Sequence, residues 1–397
     1  MKISFNSAGC GASICRISSS ADDNYVTILS GGEYGKECSL SGLNISGDVI
    51  IPYFFDPGNI FWDKEAVSAT LHMSAFTAEL LYLSRLFHGV NPNLLSIKAV
   101  KNGKSFLSVK NRVTFFDVGP SFMGGVFFLI ESNGKNILYL DLPDRDFRPD
   151  DVIHVARKNK TDMLLLGGHA LAGYREDEGT SVSLEDTIKR VFAASGTVTF
   201  LNVALYDLER IVAAYNVCVK MDRVFVADIF TAYMLDRARK ILKHIPELKR
   251  KNFRIKFSKE QAGVLSDKVS THLLYHYNGL KIDSFEMERK KNNILLLAKR
   301  DQDFSRTVKE ISAGQGAVMV DCVGETPDSA FMKYVQDKKF EVVHALPSKP
   351  DFVKNVISVI EGVMADKTVI LGDGKKSPLP AAFEKASICE QGNEICL

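Results

Sequence analysis

After Asp150 the chain repeats one pattern: a short, unbroken apolar run, then a stretch with apolar residues at helical spacing. DMLLLGG is followed by SLEDTIKRVFAAS, TVTFLNVAL by DLERIVAAYNVC, and RVFVADIF by TAYMLDRARKIL. NNILLLAK, GAVMVDC and FEVVHAL then lead into DFSRTVKEIS, PDSAFMKYVQDKK and KPDFVKNVISVIEGVM, before a closing KTVILGDG. A strand with no polar alternation is buried on both faces, and side-by-side parallel strands require crossover helices to connect them. The pattern therefore predicts an α/β protein built on a parallel sheet covered by helices.

The first third reads differently. Short β-branched or aromatic runs (KISF, YVTILSG, DVIIPYFF, VTFFDV, VFFLIE, NILYLDL) are separated by turn residues, which predicts strands packed on strands. Asn133-Gly134 between two such runs is a two-residue hairpin signal. One helix is predicted over 74–87, SAFTAELLYLSRLF, with Ser74 or Thr77 as N-cap. A length of 397 residues allows two to three domains. No apolar run reaches the roughly 20 residues of a membrane span, so no membrane partner is expected. The polar N-terminus MKISFNSAGCGASIC lacks a signal-peptide core, which reads as a cytoplasmic protein. The seven cysteines contain no CxxC; Cys389 and Cys396, in a polar C-terminal tail, are able to pair under oxidation but are read as free thiols in a reducing cytosol.

A net charge of +2 does not announce a nucleic-acid binder, but its distribution is uneven. Arg237, Arg239, Lys240, Lys243, Lys249, Arg250, Lys251, Arg254, Lys256 and Lys259 crowd one stretch, and Arg289, Lys290 and Lys291 follow. Such a cluster either attracts phosphate backbones or forms a solvated helix face and turn. His272 and His276 in THLLYHYNG share one helix face, yet no third ligand and no HExxH glutamate accompanies them, so a packing face is expected.

Several blocks, in order, resemble the metallo-β-lactamase superfamily, in its β-CASP branch of nucleases related to ribonuclease J. VTFFDVGPSFMGGVFFLIESNGKNILYLD is similar to the family's "GHSxGS…LIExxGKRILYTGD" block, and HMSAFTAELLYL to its "TPPTAEL" helix. TDMLLLGGHALAGYRE resembles "DLLIxESTYGxR", TFLNVALYDLERI resembles "VLIPxFALGRAQEL", and FEVVHALPSKPDFVKNV resembles "VxxIHTSGHAxxEDLKxL". The resemblance covers nearly the whole chain. It implies an αββα metallo-β-lactamase sandwich interrupted by a parallel β-CASP α/β domain: residues 1–194 the first part of the sandwich, 195–335 the insertion, 336–397 the return to the sandwich and the tail.

Carried over position by position, the resemblance also implies that the metal site has decayed. The ligand-rich HxHxDH stretch matches Tyr53, Phe55 and either Asp56 or Pro57 within DVIIPYFFDPGN. The next ligand His matches Pro120, and the bridging Asp matches Asp141 if the register slips by one and Leu142 if it does not. The Glu of "ESTYG" matches Gly167, the second His of the late motif Ser348, and the closing His Asp373. A dinuclear zinc site needs several imidazole and carboxylate ligands, which Pro and Phe cannot supply. The three carboxylates Asp56, Asp141 and Asp373 form an all-oxygen set suited to Mg²⁺ or Mn²⁺ rather than zinc. If the ligand loop keeps its place, the rings of Tyr53, Phe54 and Phe55 fill the former metal cavity.

The expectation is a pseudo-hydrolase with no cofactor, a nucleic-acid-associated or scaffolding subunit. RNA, single-stranded DNA, an active nuclease or another protein would be its partner. His344, His169, Arg237, Arg239, Lys240, Lys243, Lys249, Arg250 and Lys251 are the candidate phosphate contacts. His344 corresponds to a family residue that lies near the substrate phosphate. His169 closes an apolar strand beside Gly167-Gly168, where the backbone can approach a ligand closely. The alternative is an active nuclease or phosphodiesterase with a rebuilt site made of His344, Asp141, Asp373 and Asp56.

Overall fold

The computed structural model describes residues 2–7, 12–18, 25–31, 45–53, 67–87, 95–108, 110–118, 124–141, 147–167, 183–194, 196–204, 207–242, 245–249, 251–267, 271–298, 302–313, 316–323, 329–345, 349–372, 386–389 and 394–396. The chain divides into a split unit (Met1–Leu86, Asn91–Gly179 and Ser348–Leu397) and an inserted unit (Phe87–Val90 and Thr180–Pro347). Both are α/β.

The split unit holds two seven-stranded sheets. The first contains β1 (Lys2–Ser7), β2 (Ala12–Ser18), β3 (Tyr25–Gly31), β4 (Ile45–Ile50), β5 (Val67–Ser74), β6 (Ser96–Val100) and β20 (Glu394–Cys396). The second contains β7 (Ser105–Ser108), β8 (Asn111–Asp117), β9 (Val126–Ser132), β10 (Lys135–Leu140), β11 (Met163–Gly167), β18 (Lys367–Leu371) and β19 (Ser387–Cys389). Read from β20 to β6 and from β7 to β19, both sheets run through antiparallel pairs and then through parallel ones. The two halves thus share one strand pattern.

Side chains explain the layering. Along β9, Val126, Phe128 and Ile130 join Ile3, Phe5, Ile17, Val26, Ile28 and Ile50 in a core between the sheets. Phe127 and Leu129 point to the other face, against α2 (Pro149–Lys158) and α11 (Lys349–Val363), through Val152, Ala156, Val356 and Val359. This is the period-two alternation of a strand apolar on both faces. The β9–β10 turn has Asn133 at φ 49 and Gly134 at φ 74, the paired positive values that a two-residue hairpin of this hand requires. Helix α1 (Ala75–Phe87) starts at Ser74, whose Oγ accepts from Thr77 N at 3.0 Å. Ser74 and Thr77 also donate their hydroxyls to the Gly124 carbonyl, at 2.9 and 3.0 Å.

The inserted unit is built on a six-stranded, all-parallel sheet in the order β14-β13-β15-β12-β16-β17. Its strands are β12 (Thr199–Asn202), β13 (Val224–Asp228), β14 (Phe253–Lys256), β15 (Ile294–Ala298), β16 (Val318–Asp321) and β17 (Glu341–His344). Every residue of β12, β13, β15 and β16 is buried, as continuous apolar runs demand. Its helices are α3 (Leu184–Ala194), α4 (Leu208–Lys220), α5 (Ile229–Ile241), α6 (Lys259–Asp267), α7 (Thr271–Tyr277), α8 (Ser284–Arg289), α9 (Gln302–Glu310) and α10 (Ala330–Asp337). Asp207, Asp228 and Ser329 cap α4, α5 and α10 by accepting from the third residue on.

Two features differ from the sequence expectation. The inserted unit extends over 180–347 rather than 195–335, because α3 packs on α4 and β17 pairs in register with β16. The expected polar tail instead supplies an edge strand to each sheet of the split unit: β19 pairs with β18, and β20 pairs with β1. Strands of three residues are too short to leave a period in the sequence. Among the described residues no helix is long and apolar enough to cross a membrane.

Candidate functional site

In the split unit, the described positions that the resemblance matches to metal ligands do not form a cation cradle. Asp141 follows β10, opposite the end of β11, and is 1% exposed. Its Oδ2 accepts from Tyr139 OH at 3.3 Å, and Tyr139 OH lies 3.2 Å from Ser30 Oγ, itself 3.2 Å from Ser13 Oγ. Burial, with the Asp141 charge next, holds the Tyr139 phenol well above its ordinary range, so its hydroxyl remains protonated and able to donate. The carboxylate occupies the space of a side chain at 167: a Cβ built on Gly167 meets Asp141 Oδ1 at 1.8 Å and Cγ at 1.9 Å. Tyr53 is 4% exposed within the helix-side core that also holds Val118 and Phe127. Among the described residues no group of three or more His, Cys, Asp or Glu is placed to hold a metal ion. A phenol-bonded carboxylate lodged over a glycine, beside a buried tyrosine, does not fit a dinuclear zinc centre. Asp56, Asp373, Phe54, Phe55, Pro120, Leu142, His169 and Ser348 lie outside the described residues.

The cysteines offer no activated nucleophile in the described parts. Burial pushes the thiols of Cys15 and Cys218 far up, and that of Cys322 up to about 12, whereas a reactive thiol needs a lowered value.

The split unit also holds a His–Asp pair that no sequence spacing signals. His72 on β5, 2% exposed, lies with Nε2 2.7 Å from Asp48 Oδ1 on β4, and its ring stacks on Phe106 at 3.8 Å. Burial lowers the imidazole value, the hydrogen bond and charge of Asp48 oppose this, and Lys98 adds to the lowering. Because the folded value lies below the unfolded one, protonation favours unfolding. The stability that neutral His72 contributes is complete above the unfolded value near 6.5 and declines as pH falls toward the lower folded value. Wild type is therefore expected to lose more stability than His72→Phe between pH 7.5 and pH 5.5 in urea titrations. A gap between the two proteins that does not change with pH contradicts a neutral buried imidazole.

The inserted unit places its polar groups along one edge. Asn202, Asp228, Lys256, Asp321 and His344 each end a strand of the parallel sheet, the edge at which such sheets bind ligands. Three of them form a row in register across β12, β16 and β17. Asn202 Nδ2 donates to Asp321 Oδ1 at 2.8 Å, and Asp321 Oδ2 faces His344 Nδ1 at 3.1 Å. Asp321 is fully buried, whereas the His344 side chain is 55% exposed. Arg210 on α4 reaches the carbonyl of Cys322 at 3.0 Å and Asp207 Oδ2 at 3.1 Å with Nη1. A cavity of about 410 Å³ opens at the opposite edge, near the first residues of β16 and β17, and none of the candidate residues lines it.

The basic stretch separates into two groups. Arg254 pairs with Glu286 at 2.8 Å and Lys256 with Glu310 at 3.4 Å, with side chains only 12% and 17% exposed. These two serve the fold. Arg239, Lys240, Lys249 and Lys251 are exposed around the end of α5 and the following segment, and Arg237 is partly buried. Arg239 approaches Glu247 only at 3.9 Å, and the Lys251–Asp222 pair at 2.8 Å is largely solvated, so both cations stay available. Lys243 and Arg250 lie outside the described residues. His276 is 3.8 Å from Asp236 on α5 and 65% exposed.

No protein-family profile and no curated protein matches the chain. Among solved structures it is similar to the crystal structure of a protein of unknown function from Enterococcus faecalis V583, at 13% identity and a TM-score of 0.65. The match spans 100% of this chain and 99% of that one, so the two share a fold.

Proposed function

We propose that this chain is a metallo-β-lactamase-fold protein of the β-CASP branch that has lost hydrolysis and acts in the cytoplasm as a nucleic-acid-associated or scaffolding subunit. The observation that carries the reading is the seat of Asp141. Its carboxylate fills the volume of a side chain at 167, where the resembling nucleases place a glutamate. Two further features support it. The two sheets repeat one strand pattern, and a parallel α/β unit is inserted between the parts of the split unit. On this reading the exposed cations Arg239, Lys240, Lys249 and Lys251 hold phosphates, with His344 a further backbone contact. A catalytically intact nuclease is the natural protein partner, since it supplies the cleavage this chain has lost.

The test is retention of labelled single-stranded RNA on nitrocellulose by protein purified without added metal ions, with metal content measured on the same preparation. Four phosphates neutralised on a single strand predict about 50-fold weaker binding between about 50 and 200 mM salt. Reversing the four cations to glutamate is expected to abolish retention at low salt. Wild-type protein that retains no RNA at low salt removes the nucleic-acid part. Stoichiometric metal together with Mn²⁺-dependent cleavage removes the loss of hydrolysis and restores the site of Asp56, Asp141 and Asp373.

A further inference from the structure

The cavity of about 410 Å³ near the first residues of β16 and β17 falls in the range of roughly 300–1,000 Å³ common to small-ligand sites. Its walls follow from how α3 meets the edge of the sheet. Val318 and Glu341 are register partners on β16 and β17, and Val343 follows two residues on, so the three side chains share one face. That face is opposite the core that holds Met319 and Val342. On α3, Arg190, Val191 and Ala194 lie within one turn and form the facing wall.

Backbone forms the rest. The leads into β12 and β16 contribute Gly196, Thr197 and Gly316, and Thr197 Oγ1 donates to the Gly316 carbonyl, which ties the two leads together. Gly316 has φ 93, a conformation that favours glycine. A Cβ built on Gly196 meets nothing within 4 Å, so this position borders open space.

The walls carry a charge of each sign. The guanidinium of Arg190 comes from the helix and the carboxylate of Glu341 from the strand; both residues are exposed, and they are not paired with each other. Glu341 disfavours a ligand of net negative charge such as a phosphate, and Arg190 disfavours a cation. A ligand that satisfies both carries a carboxylate and an ammonium. Val191, Val318 and Val343 favour an aliphatic body for it.

We infer that this cavity binds a free α-amino acid with a branched aliphatic side chain. The fork of Arg190 takes the ligand's carboxylate, Glu341 takes its ammonium, and the valines cover its side chain. The site lies at the opposite ends of the strands that carry Asp321 and His344, and it goes beyond the nucleic-acid reading without depending on it.

Isothermal titration calorimetry of the full-length protein with leucine, isoleucine, valine, leucinamide and N-acetylleucine tests this. The amide removes the carboxylate and the acetyl group removes the ammonium. Each derivative is expected to bind about 10-fold or more weakly than leucine, the worth of a hydrogen bond to a charged group. Arg190→Met is expected to lose the preference for leucine over leucinamide, and Glu341→Gln the preference over N-acetylleucine. Both changes are at exposed side chains, and an unchanged thermal midpoint shows that the variants are folded. Absence of binding by leucine, isoleucine and valine at millimolar concentration overturns the inference. Equal affinity for leucine and either derivative overturns it, as does a preference that survives both substitutions. RNA retention is a separate readout, so the failure of one reading is distinguishable from the failure of the other.

Discussion

Replacing Gly167 with alanine is expected to destabilise the split unit by about 2–4 kcal/mol, measured by urea unfolding. The new Cβ lies at bonding distance from Asp141, at 1.8 Å from Oδ1 and 1.9 Å from Cγ, so the carboxylate has to leave its seat. Leaving means giving up the Tyr139 hydroxyl at 3.3 Å in a region that is 1% exposed. Overpacking of this kind costs about 1–3 kcal/mol, and a displaced buried polar group adds to it. The sharper measurement is the double-mutant cycle with Asp141→Ala. The pair is expected to be more stable than the sum of the single changes by about 1–2 kcal/mol, because the second substitution vacates the space the first needs. Additive effects would show that Asp141 does not occupy that volume. The same clash is expected for any larger side chain at 167, glutamate included.

Removing the Asp321 carboxylate is expected to lower the midpoint of the inserted unit's thermal transition by about 5–10 °C. Asp321→Ala leaves the amide of Asn202 and the N–H of Val323 without the acceptor they share, at a residue that is 0% exposed. A buried donor deprived of its partner costs about 1–3 kcal/mol, and for a unit of this size each kcal/mol is worth about 2–4 °C. His344→Ala, at the exposed end of the same row, is expected to shift the midpoint by no more than about 2 °C. Differential scanning calorimetry of the two variants separates structural support from ligand contact. Equal losses would mean that the imidazole supports the fold as much as the carboxylate does.

Local chemistry made much of the fold legible in the sequence. Asn133-Gly134 forms the expected hairpin, Ser74 caps the expected helix, and the apolar runs after Asp150 that fall in the inserted unit become strands of its parallel sheet. Those signals are local because turns, caps and strand burial depend on a few neighbours. Sites depend on pairing between distant segments. Asn202 and Asp321 are 119 positions apart, and no spacing rule predicts that β12 lies next to β16. One signal was present: FLN, VAD, MVD and VVH each end an apolar run on a polar residue, which marks the binding edge of a parallel sheet once the runs are read as parallel strands. His72 carries no sequence signal, because its partner, Asp48, lies on the neighbouring strand and a single His in an apolar run reads as core. The basic stretch is one run in the sequence but two groups in the fold, because Arg254 and Lys256 lie on β14 and turn to Glu286 and Glu310.

The pairing of β20 with β1 has a consequence for biosynthesis. Lys2 stands opposite Cys396, so β1 is synthesised long before the strand that covers its outer edge and waits for it. The inserted unit is nearly continuous in sequence and has no such wait. During translation it can close first, while the antiparallel strands of the split unit remain open edges that invite mispairing. A released chain that ends at Pro347 is therefore expected to protect the inserted unit's strands from protease and leave β1 to β3 cleavable.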